Sequence, residues 1–154
     1  MSGIERYYLD TSALVKRYVE EPGSADVDAV FSSAYNGRAE VCLSHWNVLE
    51  ALVVFDKYSR RLGIDAKQTS RLMLRELKTL LRLRSARLVG VTSSVIKRSM
   101  KLVLDHHIYS ADAIQVVSAQ ICGCTRFVTA DRRLGEVAGE EGLSVILVGV
   151  GGGS

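Results

Sequence analysis

YYLDTSALVKRY, residues 7–18, reads as a short apolar strand, Tyr7 to Leu9, that gives way at Asp10 to a helical pattern from Ser12 to about Val19. A carboxylate then stands at the carboxyl end of a strand, the edge of an open α/β sheet where ligands bind and chemistry is done. Taken alone, Asp10 and Ser12 are open between that role and the capping of the helix that follows. The choice depends on whether further carboxylates reach equivalent places along the chain.

Outward from this stretch the pattern alternates. Pro22 and Gly23 stop the first helix, and Ser24 is expected to cap a second that carries Val27, Val30, Phe31 and Ala34 and ends at Asn36 and Gly37. Glu40 to Leu43 forms the next strand, and Ser44 caps a long helix whose expected apolar face is Val48, Leu49, Leu52, Val53 and Phe55, with Glu50 among them. Asp65 to Arg84 is helical, with Leu74, Leu77 and Leu81 expected to pack inward. Leu88 to Val91 is a strand, Thr92 to about Leu104 a helix, and Ser110 is expected to cap a further helix with Asp112 in its first turn. Arg126 to Thr129 is a strand, Asp131 precedes a short helix, and Ser144 to Val148 is the last strand.

Helices between short apolar strands argue a three-layer α/β/α fold around a central, mostly parallel twisted sheet of four to five strands. If the chain starts centrally and winds first one way and then the other, strands one and four become neighbours, and they end in Asp10 and Asp131. Residues 1–148 are read as one domain and 149–154 as a flexible Gly-rich tail, since 154 residues suffice for a single substantial core.

Composition narrows the class. With 47% hydrophobic and 24% charged residues and no apolar run near the ~18 needed to span a bilayer, an ordinary globular chain is implied and a membrane role excluded. The amino terminus, MSGIERYY, lacks a secretory pattern, so the cytoplasm is the expected compartment. Three cysteines at irregular spacing make neither a disulfide framework nor a zinc motif, and Cys42, Cys122 and Cys124 are read as buried thiols. His107 is near enough in sequence to Asp112 to be watched as a partner.

Charge is laid out unevenly. Residues 57–101 hold 13 Lys/Arg against 2 Asp/Glu, a net of +11, between acidic flanks. Arg71, Arg75, Lys78 and Arg82 fall on one helical stripe, and Glu76 is the single acid of that helix available for ion pairs within it. Such a row is either a solvated face or a contact for a polyanion or an acidic partner.

Asp10, Glu50, Asp112 and Asp131 all fall where the same sheet edge can gather them. Two carboxylates 4 Å apart repel by roughly 4 kcal/mol at an effective dielectric near 20, and a divalent cation removes that difficulty. Oxygen ligands without Cys or His favour Mg²⁺ or Mn²⁺, ions that activate water and polarise phosphoryl oxygens, so phosphodiester hydrolysis is the chemistry implied.

YYLDTSALVKRY, SHWNVLEALVVF, YSADAIQVVSA and RFVTADRRL followed by GLSVILV together resemble the PIN-domain ribonucleases, particularly the VapC-like toxins of toxin-antitoxin pairs, over about Arg6 to Val148. That resemblance implies catalytic acids at Asp10, Glu50, Asp112 and Asp131, with Ser12 and Thr129 as supporting hydroxyls. It further implies Mg²⁺-dependent cleavage of RNA by activated water, a cognate antitoxin protein as inhibitor, and a homodimer. Within it, Asp10, Asp112 and Asp131 are expected to hold the ion directly or through water, and Glu50 to orient or deprotonate the attacking water. The basic stripe suits either RNA or an acidic antitoxin segment. Two other readings stay open: a catalytically silent binding module of the same fold, and a phosphoacceptor or aspartate-nucleophile phosphatase domain. The phosphatase would want a second acid two residues after the nucleophile, where this chain has Ser12.

Overall fold

The structure, a computed structural model, describes residues 3–149. In chain order the elements are β1 (Glu5–Leu9), α1 (Thr11–Val15), α2 (Ser24–Tyr35), β2 (Ala39–Ser44), α3 (His45–Leu62), α4 (Ala66–Arg82), β3 (Ala86–Val89), α5 (Ser93–His106), α6 (Ser110–Cys122), β4 (Arg126–Thr129), α7 (Arg132–Glu140) and β5 (Val145–Leu147). The five strands form one sheet in the order β3-β2-β1-β4-β5. Every pairing is parallel, so the sheet is fully parallel and β1 lies at its centre.

The period-2 alternation of the strands sorts the core into two layers. Leu9, Val41, Leu43 and Val128 point to one face and pack with Leu14, Phe31, Phe55, Met73 and Leu80 from α1 to α4. Tyr8, Cys42 and Phe127 point to the other and pack with Val95, Leu102, Val116, Val117 and Val137 from α5 to α7. Tyr8 and Phe127 stack across the central pair, ring centroids 5.6 Å apart. This is the expected three-layer arrangement, and it makes the β1/β4 boundary the point where the winding reverses.

Several helix starts follow from side-chain caps. Asp10 accepts from the Ala13 amide and caps α1, while Ser44 and Asn47 form a reciprocal capping box at the start of α3. Thr92 caps α5 and Asp131 caps α7. Ser24 and Ser110 do not cap as expected: each is the first helical residue, and the cap positions are Gly23 and Tyr109. Ser24 is instead turned inward, its hydroxyl bonding to the Val19 carbonyl and the Glu21 amide.

Two apolar faces are rotated from expectation. In α4 the buried residues are Met73, Leu77 and Leu80, whereas Leu74 and Leu81 are 47% and 39% exposed. That helix carries leucines on two adjacent stripes, and the one containing Met73 meets the core. In α3 the buried stripe runs through Asn47, Ala51 and Phe55, leaving Leu49 and Val53 exposed. Glu76 makes no ion pair along its own helix; it binds the Arg17 guanidinium through both oxygens and accepts from the Tyr18 and Tyr35 hydroxyls, tying α4 to the α1 and α2 region.

Gly149, placed by the sequence reading at the start of the tail, packs against the Pro22 turn with φ +69°, and a Cβ there would collide with the Pro22 carbonyl. The rest of the tail, 150–154, lies outside the described residues. Among those described, no helix is long and apolar enough to cross a membrane. All three cysteines are free thiols; Cys42 is buried and Cys122 and Cys124 are half-buried.

Candidate active site

Asp10 follows the last residue of β1, and Thr129 is the last residue of the neighbouring β4. The Asp10 amide donates to the Val128 carbonyl at 3.1 Å, extending the ladder by one bond and fixing the aspartate at the sheet's carboxyl edge. The side chain is 3% exposed. Its Oδ1 accepts from the Ser12 hydroxyl at 2.7 Å and the Ala13 amide at 2.9 Å, and its Oδ2 from the Thr129 hydroxyl at 2.5 Å. A carboxylate offers about four lone-pair directions, so Oδ2 keeps one for a further partner. Burial drives the Asp10 carboxyl up to about 6; the bonds from Thr129, Ser12 and Ala13 oppose the rise and the nearby charge of Asp131 adds to it.

Ser12 and Thr129 also hold the loop that carries the fourth acid. Ser12 Oγ accepts from the Ala130 amide at 2.9 Å, and Thr129 Oγ1 accepts from the Asp131 amide at 3.0 Å. Asp131 is exposed, with one oxygen capping α7 through the Leu134 amide.

Glu50 lies in the second turn of α3, which starts directly at the end of β2, and Asp112 in the first turn of α6. Asp112 is half-buried, and its carboxyl is raised by that burial, then by the charges of Asp131 and Glu50. The charge of Asp131 thus bears on both Asp10 and Asp112, and that of Glu50 on Asp112. Among the described residues none of the four is in an ion pair.

No three His, Cys, Asp or Glu side chains among the described residues form a ready ligand set for an ion as they are placed. The donors nonetheless fit a hard divalent cation. They are all oxygen, they are unneutralised, and Mg²⁺ is ordinarily held by one or two carboxylates with water completing its shell. Asp10, Asp112 and Asp131 could supply those carboxylates.

Three side chains at this edge were not singled out from sequence. Thr11 Oγ1 donates to Glu50 Oε1 at 2.7 Å, and the Gln115 amide donates to the same oxygen at 3.1 Å. Asn47 reaches Thr11 and Gln115 through its own amide. Signals were available: Thr11 follows Asp10 directly, and Gln115 is a polar residue at i+3 from Asp112 inside an otherwise apolar helical run. His107, by contrast, is exposed and is the left-handed C-cap of α5, and no hydrogen bond joins it to Asp112. The basic stripe is exposed as drawn from sequence, and none of Arg71, Arg75, Lys78 and Arg82 has an ion-pair partner among the described residues.

A parallel α/β domain with acids gathered at its topological switch point is the class this architecture defines. The PIN domain profile matches residues 7–140, and the chain belongs to that family. Comparison with curated proteins returned no match. Among solved structures it is similar to PAE2754 from Pyrobaculum aerophilum, at 21% identity and TM-score 0.62, covering 92% of this chain and 83% of that one. It is also similar to Mycobacterium tuberculosis VapC20, described as a sarcin-ricin loop cleaving toxin, at 15% identity and TM-score 0.62, covering 89% and 95%. A toxin-antitoxin complex from Klebsiella pneumoniae aligns at 16% identity and TM-score 0.52, covering 81% and 86%. These likenesses establish a shared fold.

Proposed function

We propose that the protein is a Mg²⁺-dependent endoribonuclease, with Mn²⁺ as a possible substitute, and that it is the toxin of a toxin-antitoxin pair. The observation that carries this reading is that Asp131 bears on the carboxyls of both Asp10 and Asp112, and Glu50 on that of Asp112, with none of the four in an ion pair among the described residues. Family membership and the likeness to a structure described as a loop-cleaving toxin support this reaction class.

Asp10, Asp112 and Asp131 hold the ion, directly or through water. The chemistry a bound Mg²⁺ supplies is polarisation of a phosphoryl oxygen, a water of lowered pKa and charge relief at the leaving alkoxide. Ser12 and Thr129 fix the Asp10 carboxylate and leave one acceptor direction of Oδ2 for a further partner. Glu50 orients the attacking water and takes its proton. Arg71, Arg75, Lys78 and Arg82 hold RNA phosphates or an acidic antitoxin segment. A cognate antitoxin inhibits the enzyme, and the working unit is a homodimer in the cytoplasm. The test is cleavage of an RNA panel by wild type and by Asp10→Asn, with Mg²⁺ and with chelator. A silent RNA-binding module, favoured by the unpaired basic stripe, would bind that panel without cutting it.

A further inference from the structure

Tyr8, Asn47 and Gln115 are polar side chains inside the core, at 0%, 0% and 2% exposure. Burying such groups costs stability unless each is bonded, and an apolar side chain would fill the same space without that demand. Here they form one connected chain of bonds that ends on the half-buried Thr11 and Glu50. Its two ends fix the direction of every bond between them. At the inner end the Ser44 amide donates to Asn47 Oδ1 at 2.6 Å, so that atom is the oxygen. At the outer end a carboxylate, Glu50, only accepts.

Between those ends Tyr8 Oη faces Gln115 Oε1 at 2.6 Å and Asn47 Oδ1 at 2.9 Å and shares its proton between them. The Asn47 amide donates to Gln115 Oε1 at 2.7 Å and, more weakly, to Thr11 Oγ1 at 3.3 Å. The Gln115 amide is left pointing outward, donating to Thr11 Oγ1 and to Glu50 Oε1, each at 3.1 Å. The Thr11 hydroxyl in turn donates to Glu50 Oε1 at 2.7 Å. Oε1 therefore receives two donors and is filled, while Oε2 has no hydrogen-bond partner among the described residues.

We infer that Thr11 and Gln115 are positioning residues that lock Glu50 by saturating Oε1, so that Oε2 alone is offered to the reacting water, with Tyr8 and Asn47 setting the rotamer of Gln115. The inference rests on the proposed hydrolysis for its consequence, while the lock itself is a property of the folded chain. Four elements, β1, α1, α3 and α6, each contribute to it, so the same bonds set the distance between Glu50 on α3 and Asp112 on α6.

The test has two readouts on the full chain. In Mg²⁺ with an RNA the wild type cleaves, Thr11→Val should lower kcat about tenfold with KM within about twofold, the size of one lost bond to a charged group. Thr11→Ser, which keeps the hydroxyl, should stay within about threefold of wild type. Equal losses in the Val and Ser variants, or losses that track only the folded fraction measured by urea unfolding, overturn the inference. Independently of cleavage, the Gln115 side-chain amide protons should exchange with solvent at least about tenfold more slowly in wild type than in Glu50→Ala. Equal exchange rates overturn the lock whatever the RNA assay gives. A wild type that leaves RNA intact while the amide protons are protected overturns the nuclease reading and leaves the lock standing.

Discussion

Thr129 Oγ1 donates to Asp10 Oδ2 at 2.5 Å across the boundary between β1 and β4, joining the two strand ends at which the winding of the sheet reverses. A buried carboxylate at that boundary is held ionised against its surroundings by three donors, and this tension yields consequences that can be measured.

Asp10 costs the fold stability at neutral pH. Below pH 3.8 it is protonated in folded and unfolded chains alike, and its burial is without effect on the balance. As pH rises from there through about 6 the folded chain keeps a proton that the unfolded chain has lost, so stability falls. Above that range the cost is about 3 kcal/mol. Asp10→Asn should therefore be more stable than wild type at pH 7.5, by on the order of 1–3 kcal/mol without added metal, and lose that advantage near pH 3.5. Urea unfolding at the two pH values checks this; an advantage equal at both would contradict it.

Thr129→Val keeps the shape of a fully buried residue and removes the donor that most opposes the rise of the Asp10 carboxyl. The Asp10 carboxyl should then move further above 6, and the acid limb of the cleavage profile should shift to higher pH by about one unit. Activity at pH 6.5 should fall much more than at pH 8.5. Superimposable pH profiles for the two proteins would count against the role given to Thr129.

The strand ends were legible in sequence because each acid sits beside a recognisable boundary: Asp10 after an apolar triplet, Asp131 after RFVT, Asp112 at the start of a helical run. Strand order was legible only as a possibility, since it depends on which crossovers pack, and β1 at the centre is what brings Thr129 onto Asp10. The rotation of α3 and α4 was not legible. Both helices carry more large apolar residues than one face can bury, and the core takes Ala51 and Met73 while leaving Leu49, Val53, Leu74 and Leu81 outside. The polar chain from Tyr8 to Glu50 was hidden for a related reason. Tyr8, Asn47 and Gln115 come from three distant segments, and only the tertiary fold makes them partners.

The basic stripe of α4 should show itself through salt. If Arg71, Arg75, Lys78 and Arg82 each neutralise one phosphate, log affinity for single-stranded RNA should fall against log salt with a slope of about −3. Replacing Arg75 and Lys78 with Gln should flatten the slope by about 1.4. A salt-independent affinity would assign the stripe to protein contacts instead.

Divalent ions should stabilise the folded chain through Asp10, Asp112 and Asp131. At ten times its Kd, Mg²⁺ should add about 1.4 kcal/mol to the unfolding free energy of wild type at pH 7.5. The gain should shrink sharply in Asp10→Asn and in Asp112→Asn, and at pH 4, where protons compete for the same carboxylates. Thermal unfolding with Mg²⁺ and with chelator reads this directly, and an equal gain in all three proteins would place the ion elsewhere.

The most direct measurement is the cleavage of a broad panel of structured and single-stranded RNAs by purified wild type and Asp10→Asn, with Mg²⁺ and with chelator. Wild type should cut at least one RNA at defined sites with Mg²⁺, lose that cutting in chelator, and exceed Asp10→Asn by about a hundredfold or more. An intact panel with Mg²⁺ and Mn²⁺, or an Asp10→Asn variant that cuts as fast as wild type, would contradict the assignment of Asp10 as the central acid of a nuclease site.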